Sequence, residues 1–401
     1  MSNLFQSVEL APRDPILGLT EQYNADTRSH KVNLGVGVYY DDNGRVPLLR
    51  CVHKVEVDRV QAQLAHSYLP IEGLANLNRG ARALVLGKDS EAHMSGRSVT
   101  VQSIGGTGAL KIGADYLRAL LPGAKVAISR PSWENHRALF EKAGFEVLEY
   151  PYYDPKTHGL DLDGMLGFLK SLPSKSVVVL HACCHNPTGV DPTAAQWAEI
   201  AEVIAQKDLV PFMDIAYQGF GDGLEPDAAA VRLFVEKGLN CLISTSFSKS
   251  FSLYGERIGA LTLVTDSQEQ AARVLSQVKR VIRTNYSNPP TFGGAIVAEA
   301  LNSPELFAMW DQELGEMRQR IKLMRSELVR KLADNGVQMN FDFVMSQKGM
   351  FSYSGLTAAQ VDRLREDHAI YAISSGRICV AALNSKNIDT VAKAIASVIK
   401  G

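Results

Sequence analysis

Short apolar runs alternate with amphipathic helical patterns from about residue 99 to residue 264. The runs predict buried strands, and they are Val99–Val101, Lys125–Ile128, Glu146–Leu148, Val177–Leu180, Leu209–Met213, Cys241–Ile243 and Ile258–Val264. Between these runs lie segments whose apolar residues have helical spacing, such as Leu110–Leu121 and Thr193–Gln206. This order predicts an α/β fold whose mostly parallel sheet is sandwiched by helices. Ligands of such sheets bind at the carboxyl ends of the strands.

The pattern changes beyond residue 302. Ser303, as a cap, and Pro304, at the first helical position, predict the start of a long helix that runs to about Asp334. Shorter elements follow, namely strands at Met350–Tyr353 and Arg377–Val380 and helices near residues 359–367 and 388–399. A further helix is predicted between Pro47 and about His66. We therefore expect an N-terminal arm (residues 1–12), a large domain (47–316) and a smaller α+β domain (13–46 and 317–401).

Composition excludes several classes of function. The 42 Lys and Arg residues nearly balance the 43 Asp and Glu residues, which gives no field suited to nucleic acid or an anionic membrane. The partners expected are small molecules or a second copy of the chain. No apolar run has the length of a membrane span, and the first residues show no signal-peptide pattern. Five cysteines in so long a chain then favour reduced thiols and a cytoplasmic location.

Lys249 lies among hydroxyl side chains just after the apolar run Cys241–Ile243. An amine held there, partly removed from water and near the cation of Arg257, would have a lowered pKa and could attack a carbonyl. Ser246, Ser248 and Arg257 offer the donors that a phosphate group needs. Taken alone, the stretch also fits a solvated loop lysine.

Other strand ends carry candidate chemistry. The segment Gly105–Lys111 follows a strand and begins a helix, so its free N–H groups predict an anion site, although a tight turn is the ordinary alternative. Asp214 ends an apolar strand and needs a cationic partner there, such as a protonated pyridine nitrogen. Tyr217 could hydrogen-bond a phenolate beside that nitrogen. An exposed Asp is the equal alternative for that carboxylate.

Two cysteines and two histidines occur together in His181–His185, which suggests a metal site. We reject a metal because adjacent cysteines do not easily face one tetrahedral ion and no second Cys/His pair has finger spacing. Asn186, placed before a proline with Gly189 completing a turn, is instead predicted to direct its amide into a site.

The motifs in their order and spacing resemble the aspartate/aromatic aminotransferase family, over essentially the whole chain. These are fold-type I enzymes that depend on pyridoxal 5′-phosphate. The matching segments are Tyr68, Gly105–Gly108, Pro131–His136, His185–Gly189, Asp214–Phe220, Ser246–Lys249 with Arg257, Arg283–Pro290 and Ser375–Arg377.

The resemblance implies a role for each matched residue. Lys249 would form the imine with the cofactor and carry the proton between substrate Cα and cofactor C4′. Asp214 would keep the pyridine nitrogen protonated, with His136 and His181 behind it. Trp133 would stack on the ring, and Asn186 and Tyr217 would bind its phenolic oxygen. The phosphate ligands implied are Gly106, Thr107, Ser246, Ser248, Arg257 and the partner subunit's Tyr68, which is also counted as catalytic.

Substrate contacts follow from the same resemblance. Arg377 would bind the α-carboxylate, and Arg283 would bind a side-chain carboxylate across the interface of a homodimer. Gly37, Trp133 and Asn186 would complete the substrate site. The peptide bonds before Pro131 and Pro187 are expected to be cis.

Local features divide between two substrate classes. Tyr40 and Val46 predict a pocket suited to an aromatic ring, whereas Thr107, Ser67 and Asn288 resemble an aspartate enzyme. We favour an aromatic amino acid aminotransferase that also accepts aspartate and uses 2-oxoglutarate, with aspartate aminotransferase as the alternative.

Two other classes fit less well. A pyridoxal-dependent lyase or decarboxylase would share Lys249 and Asp214, but Arg283 and Arg377 suit substrates whose carboxylates survive the reaction. A transcriptional regulator with a domain of this kind would carry a basic DNA-binding segment, and the motifs here begin within the first forty residues.

Overall fold

Seven strands lie side by side in the main sheet of the computed structural model, which describes residues 4–11 and 15–400. In chain order the described strands are β1 (Val32–Asn33), β2 (Ser98–Ile104), β3 (Lys125–Arg130), β4 (Glu146–Pro151), β5 (Tyr153–Asp154), β6 (Gly159–Leu160), β7 (Val177–His181), β8 (Val210–Ile215), β9 (Leu242–Ser246), β10 (Ile258–Val264), β11 (Phe351–Tyr353), β12 (Ile370–Tyr371) and β13 (Arg377–Cys379). The main sheet has the order β2-β10-β9-β8-β7-β3-β4. Its neighbouring strands are parallel, except that β10 is antiparallel to β2 and to β9. The predicted α/β class and all seven predicted strands are confirmed.

Helices cover both faces of this sheet. In the described part of the chain they are α1 (Pro15–Ala25), α2 (Arg50–Ala62), α3 (Ala75–Leu86), α4 (Glu91–Met94), α5 (Gly105–Leu120), α6 (Glu134–Lys142), α7 (Leu162–Ser171), α8 (Ala194–Gln206), α9 (Leu224–Asp227), α10 (Ala229–Glu236), α11 (Gln268–Asn285), α12 (Phe292–Asn302), α13 (Pro304–Asp334), α14 (Phe343–Ser346), α15 (Ala358–His368) and α16 (Ile388–Lys400), with a 3-10 turn at Val380–Ala382. Ser303 caps α13 by accepting a hydrogen bond from the backbone N–H of Leu306, as predicted.

Two different cores bury the two faces of the main sheet. In β7, Val177 and Val179 belong to one cluster of buried side chains, whereas Val178 and Leu180 belong to another. Successive strand residues point to opposite faces, so a strand between two helical layers is apolar at most positions rather than at alternate ones. This is the reason that unbroken apolar runs identified the main sheet.

The parallel register brings three predicted motifs to one edge of the sheet. His181 is opposite Asp214 in the β7–β8 pair, and Asp214 is opposite Ser244 in the β8–β9 pair. Side chains that are far apart in sequence therefore meet where β7, β8 and β9 end.

The segment before residue 47 pairs with the C-terminal part of the chain. Val32 and Asn33 of β1 lie parallel to Ile370 and Tyr371 of β12. The backbone N–H of Cys379, in β13, donates to the carbonyl oxygen of Leu34 at 2.7 Å. The division into an arm and two domains stays a prediction, and its boundary at residue 316 falls inside the continuous helix α13. Among the described helices, none combines the length and the apolar composition that a bilayer crossing requires.

Candidate active site

A cavity of about 240 Å³ opens at the carboxyl ends of the central strands. Thirteen of the predicted site residues line it: Gly37, Gly106, Thr107, Trp133, His181, Asn186, Asp214, Tyr217, Ser246, Ser248, Lys249, Arg257 and Arg377. Four further lining residues were not predicted from the sequence, namely Leu110, Ala216, Tyr254 and Phe351. The residues predicted from their own chemistry and those implied by the resemblance thus line one cavity.

The amine of Lys249 lies 4.9 Å from the centre of the Tyr217 ring. Removal from water is the main cause that lowers its pKa; the negative charge of Asp214 opposes the shift and the positive charge of Arg257 adds to it, and together they bring the pKa from 10.5 to about 8. The lowered pKa predicted from the sequence is confirmed. A substantial fraction of this lysine is therefore a neutral, nucleophilic amine at mildly alkaline pH.

Asp214 is buried at the end of β8 and is held ionised by its neighbours. Burial alone would raise the pKa of its carboxyl, but the hydrogen bond from His136 and the nearby positive charge of Lys249 lower it below its usual range. Nε2 of His136 donates to Oδ2 of Asp214 at 3.0 Å, and Nδ1 of His136 is 3.0 Å from the hydroxyl of Ser132. His136 is not among the residues that line the cavity and lies behind Asp214, whereas His181, which the sequence analysis also placed behind Asp214, lines the cavity.

His181 contributes an imidazole with unused hydrogen-bonding capacity. Both of its ring nitrogens are buried and have no partner among the described residues. Its ring lies 4.9 Å from that of His136 and 4.4 Å from that of His185. Burial, together with those two histidines, holds the pKa of His181 well below its usual value, so this imidazole is neutral.

The other end of the cavity is rich in donors for an anion. Helix α5 begins at Gly105 without a side-chain cap. The N–H of Gly105 donates to the carbonyl oxygen of Arg257 at 2.9 Å, and the following N–H groups of the first turn have no partner within the helix. Gly105 has φ +65, and a Cβ there would lie 2.5 Å from Nη2 of Arg257, so a side chain would strain the backbone and displace the guanidinium. Nη1 of Arg257 donates to Oγ of Ser248 at 3.2 Å and forms no ion pair with a described carboxylate. This arrangement fits a phosphate group at a helix N-terminus.

Arg377 is a buried cation that forms no ion pair with any carboxylate of the described residues. It is 1% exposed, and its Nε has no hydrogen-bond partner in the part of the chain described. Nη1 donates to Oδ1 of Asn186 at 3.1 Å, and Nη2 donates to the carbonyl oxygen of Gly35 at 2.6 Å. A buried charge is costly unless paired, so the guanidinium is suited to an incoming carboxylate.

Phe351 was missed from the sequence because an aromatic residue in a strand normally packs in a core. Its ring centre lies 4.3 Å from Cζ of Arg377, which places the cation against the ring. A Cβ at position 37 would lie 2.7 Å from Cζ of this ring, so the glycine allows the chain to pass close to it. Tyr254 was also missed, and its hydroxyl accepts a hydrogen bond of 2.9 Å from the backbone N–H of Tyr39.

Besides His136, two predicted site residues do not line the cavity of this chain. Tyr68 is 93% exposed. Arg283, near the end of α11, is exposed and donates to Oγ of Ser287. Tyr40 and Val46, which the sequence placed in a substrate pocket, do not line it either, and Val46 is 43% exposed.

The paired cysteines require a correction to one premise of the sequence analysis. Ligand atoms of Cys183, Cys184 and Asp227 lie within 4.8 Å of one another, so adjacent cysteines do face a common point. The carboxylate of Asp227 already accepts three backbone N–H groups, and the pKa values of both thiols are raised, that of Cys184 to about 11. Protonated thiols are poor metal ligands.

The peptide bonds before Pro131 and Pro187 are cis, as expected.

The site fits pyridoxal 5′-phosphate in its donor chemistry. It combines an uncapped helix end and Arg257 for a phosphate, a carboxylate for a ring nitrogen and an amine of lowered pKa for a carbonyl carbon. The indole of Trp133 supplies an apolar wall.

Comparison with known proteins agrees with this fit. The sequence profile described as "Aminotransferase class I and II" matches residues 29–395. The chain is 61% identical over 397 residues to a protein from Pseudomonas aeruginosa named aspartate aminotransferase, covering 99% of this chain and 100% of that one. It is 50% identical over 398 residues to the Escherichia coli protein named aromatic-amino-acid aminotransferase, with coverage of 99% and 100%.

A solved structure is similarly close. The crystal structure of aromatic-amino-acid aminotransferase from Burkholderia pseudomallei, covalently bound to pyridoxal phosphate, has a TM-score of 0.97 and 64% sequence identity, covering 99% of this chain and 100% of that one. The profile, the relatives and the fold therefore agree with the chemistry of the cavity. The chain belongs to the class I and II aminotransferase family and is a pyridoxal-phosphate-dependent aminotransferase.

Proposed function

We propose that this chain transfers the amino group of phenylalanine, tyrosine, tryptophan and aspartate to 2-oxoglutarate, in a ping-pong sequence of two half-reactions. The observation that carries the proposal is that the amine of Lys249, the carboxylate of Asp214 and the unpaired guanidinium of Arg377 share one cavity. A reactive amine and a carboxylate-binding cation are the two groups that an α-amino acid requires.

Pyridoxal 5′-phosphate, when bound, supplies a ring that withdraws electrons from the substrate Cα. Asp214 keeps a proton on the ring nitrogen, because its carboxylate stays ionised in a buried position and His136 orients it. Tyr217 and Asn186 would hydrogen-bond the phenolic oxygen, and Trp133 would pack on the ring face. Gly106, Thr107, Ser246, Ser248 and Arg257, which line the cavity, would hold the phosphate.

Lys249 moves the proton. With a pKa near 8, Nζ can take a proton from the substrate Cα and would deliver it to C4′ of the cofactor. The surrounding wall of Tyr217, Trp133 and Phe351 limits the access of water to that proton.

Arg377 binds the α-carboxylate. Its contacts with Asn186 and Gly35 fix the guanidinium plane, and Phe351 covers one face of it. The unpartnered Nε–H is then available to the substrate, together with the remaining N–H groups.

A homodimer completes the site in this proposal. Tyr68 and Arg283 lie outside the cavity of their own chain and are exposed, so they would serve the cavity of a second copy. The N-terminal arm exposes the apolar side chains of Leu4, Phe5 and Val8, which a second subunit would cover.

Substrate choice depends on Arg283. Its guanidinium has a single hydrogen bond among the described residues, to Ser287, and no ion pair, so little holds it in place. It can meet the side-chain carboxylate of aspartate or 2-oxoglutarate and turn away from an aromatic ring. The names of the relatives divide in the same way, and aspartate aminotransferase remains the alternative.

We also infer a cytoplasmic location, because the five cysteines are all free thiols.

The proposed activity is tested with purified holoenzyme, phenylalanine and 2-oxoglutarate. Equal amounts of phenylpyruvate and glutamate are expected, and Lys249→Ala should form neither. Release of carbon dioxide without glutamate would instead indicate a decarboxylase.

A further inference from the structure

A carboxylate outside the cavity holds the loop that carries Asn186. Oδ2 of Asp191 accepts the backbone N–H of Cys184 at 2.7 Å, and Oδ1 accepts the backbone N–H of His185 at 2.8 Å. Both oxygens of one side chain are thus used on two consecutive amides. Asn186 is the next residue, and its side chain enters the cavity.

The backbone of this loop needs such a partner. Cys184 has φ 52, a left-handed conformation that a residue with a side chain adopts at a cost of about 1–3 kcal/mol. Consecutive N–H groups in a turn of this kind point to one side and attract an anion. Asp191 supplies that anion from within the same loop, so the left-handed turn at Cys184 is stabilised where it directs Asn186.

The next residue along the loop is fixed as well. The ring of His185 is stacked on Tyr152 with centroids 3.9 Å apart, and its two nitrogens lie within 2.9 Å of the hydroxyls of Ser129 and Thr188. The side chain of His185 is therefore held by the Tyr152 ring and two hydroxyls behind the cavity, and Asp191 fixes its backbone. Asn186 therefore directly follows a residue, His185, whose side chain and backbone are both held in place.

An ordinary structural explanation for Asp191 does not apply. An acidic residue just before a helix usually caps it, but α8 is capped by the side chain of Thr193, which accepts the N–H of Gln196. The carboxylate of Asp191 is directed back to the loop instead.

We infer that Asp191 is a positioning residue for substrate binding, which acts through Asn186 on the guanidinium of Arg377. The inference rests on the proposed roles of Asn186 and Arg377. Removal from water raises the pKa of the Asp191 carboxyl, and its two amide partners and the charge of Lys348 oppose that rise. The resulting pKa of about 6 leaves the carboxylate mostly ionised at neutral pH.

The test measures binding of succinate, a dicarboxylate without an amino group, to the holoenzyme. Asp191→Asn keeps the shape of the side chain but presents an NH₂ group to one of the two amides. We expect it to raise the Kd of succinate about 10- to 100-fold, with a parallel rise in the KM of the amino acid. In an Asn186→Ala background the same substitution should change the Kd by less than about 3-fold.

Asp227→Asn is the matched control. Its carboxylate also accepts backbone amides, those of Gly219, Gly221 and Asp222, but that loop contributes no residue to the cavity. Asp227→Asn should lower the Tm. It should change the Kd of succinate by the same factor in the wild-type enzyme and in the Asn186→Ala variant. An Asp191→Asn effect of equal size in both backgrounds, or an unchanged Kd, would overturn the positioning role.

Hydrogen exchange in the unmodified holoenzyme decides the question where a variant does not fold. The amides of Cys184 and His185 should exchange at least about 100-fold more slowly than those of an exposed loop, and rapid exchange would contradict the inference. The two proposals can fail separately. If the variants show the predicted coupling between Asp191 and Asn186 in succinate binding but the wild-type enzyme transfers no amino group, the proposed function is overturned and the positioning role of Asp191 stands.

Discussion

Oδ1 of Asn186 accepts a hydrogen bond of 3.1 Å from Nη1 of Arg377, although the two residues are 191 positions apart. The contact joins the loop after β7 to β13. In the proposed mechanism one residue binds the cofactor ring and the other binds the substrate carboxylate. Their direct contact means that the two binding groups are oriented together.

Arg377→Lys should weaken every substrate to the same degree. A lysine has a single ammonium group and cannot hold Asn186 and Gly35 while also giving two parallel N–H groups to a carboxylate. We expect kcat/KM to fall about 100- to 1,000-fold for phenylalanine and aspartate alike. Steady-state kinetics with both donors test this, and a loss confined to one donor would show that Arg377 does not bind the shared carboxylate.

Arg283→Ala should discriminate between the donors. The variant removes the proposed partner of the side-chain carboxylate, so kcat/KM for aspartate should fall about 100-fold or more, and that for phenylalanine by less than about 5-fold. Arg280→Ala, one turn earlier on α11 and bonded to Gln277, is the matched control and should leave both donors unchanged. Equal losses for both donors would contradict the proposed role of Arg283.

Lys249→Met should stabilise the apoprotein in a pH-dependent way. Because the folded-state pKa is about 8 and the unfolded value is 10.5, the folded state bears the cost of a desolvated charge below pH 8. That cost falls between pH 8 and 10.5, as the folded state releases the proton first. We expect the variant to gain about 1–3 kcal/mol in the free energy of unfolding at pH 7.

Denaturant titrations of both apoproteins at pH 7 and pH 10.5 provide the measurement. The advantage of Lys249→Met should shrink as the pH rises through that range. An advantage that grows with pH would show that the lysine is held in its charged form.

Glu313→Gln tests a helix cap that comes from a distant part of the chain. The carboxylate of Glu313, on α13, accepts the backbone N–H groups of Arg50 and Cys51 at the start of α2, at 2.6 and 3.1 Å. Loss of the charge at this helix N-terminus should cost about 1–3 kcal/mol in the free energy of unfolding. Glu316→Gln, whose carboxylate is exposed and 3.9 Å from Arg50, should cost less than about 0.5 kcal/mol. Equal effects in urea titrations would contradict the capping role.

The main sheet was predictable because both of its faces are buried. Strands such as β7 are then buried at every position and mostly apolar, and such runs stand out from the amphipathic helices between them. The direction of β10 was not predictable in the same way. A mostly apolar run that is buried throughout, as Ile258–Val264 is, carries no sign of whether its neighbours are parallel or antiparallel.

The polar part of the site was predictable because each group ends a strand or begins a helix. Phe351 and Tyr254 were missed because their contacts form only in the folded chain. Phe351 packs against the guanidinium of Arg377, and the hydroxyl of Tyr254 accepts the backbone N–H of Tyr39. Glu313 was missed for the same reason, since 263 positions separate it from Arg50. The residues next to a position in the sequence do not indicate such distant partners.

The most direct test of the account is the specificity constant of the pyridoxal-bound enzyme for phenylalanine, tyrosine, tryptophan and aspartate, each with 2-oxoglutarate as acceptor. Values for aromatic and acidic donors within about 100-fold of one another are expected, because Arg377 serves all four and little holds Arg283 in place. A preference for aspartate by several orders of magnitude would contradict the dual specificity and identify the enzyme as an aspartate aminotransferase.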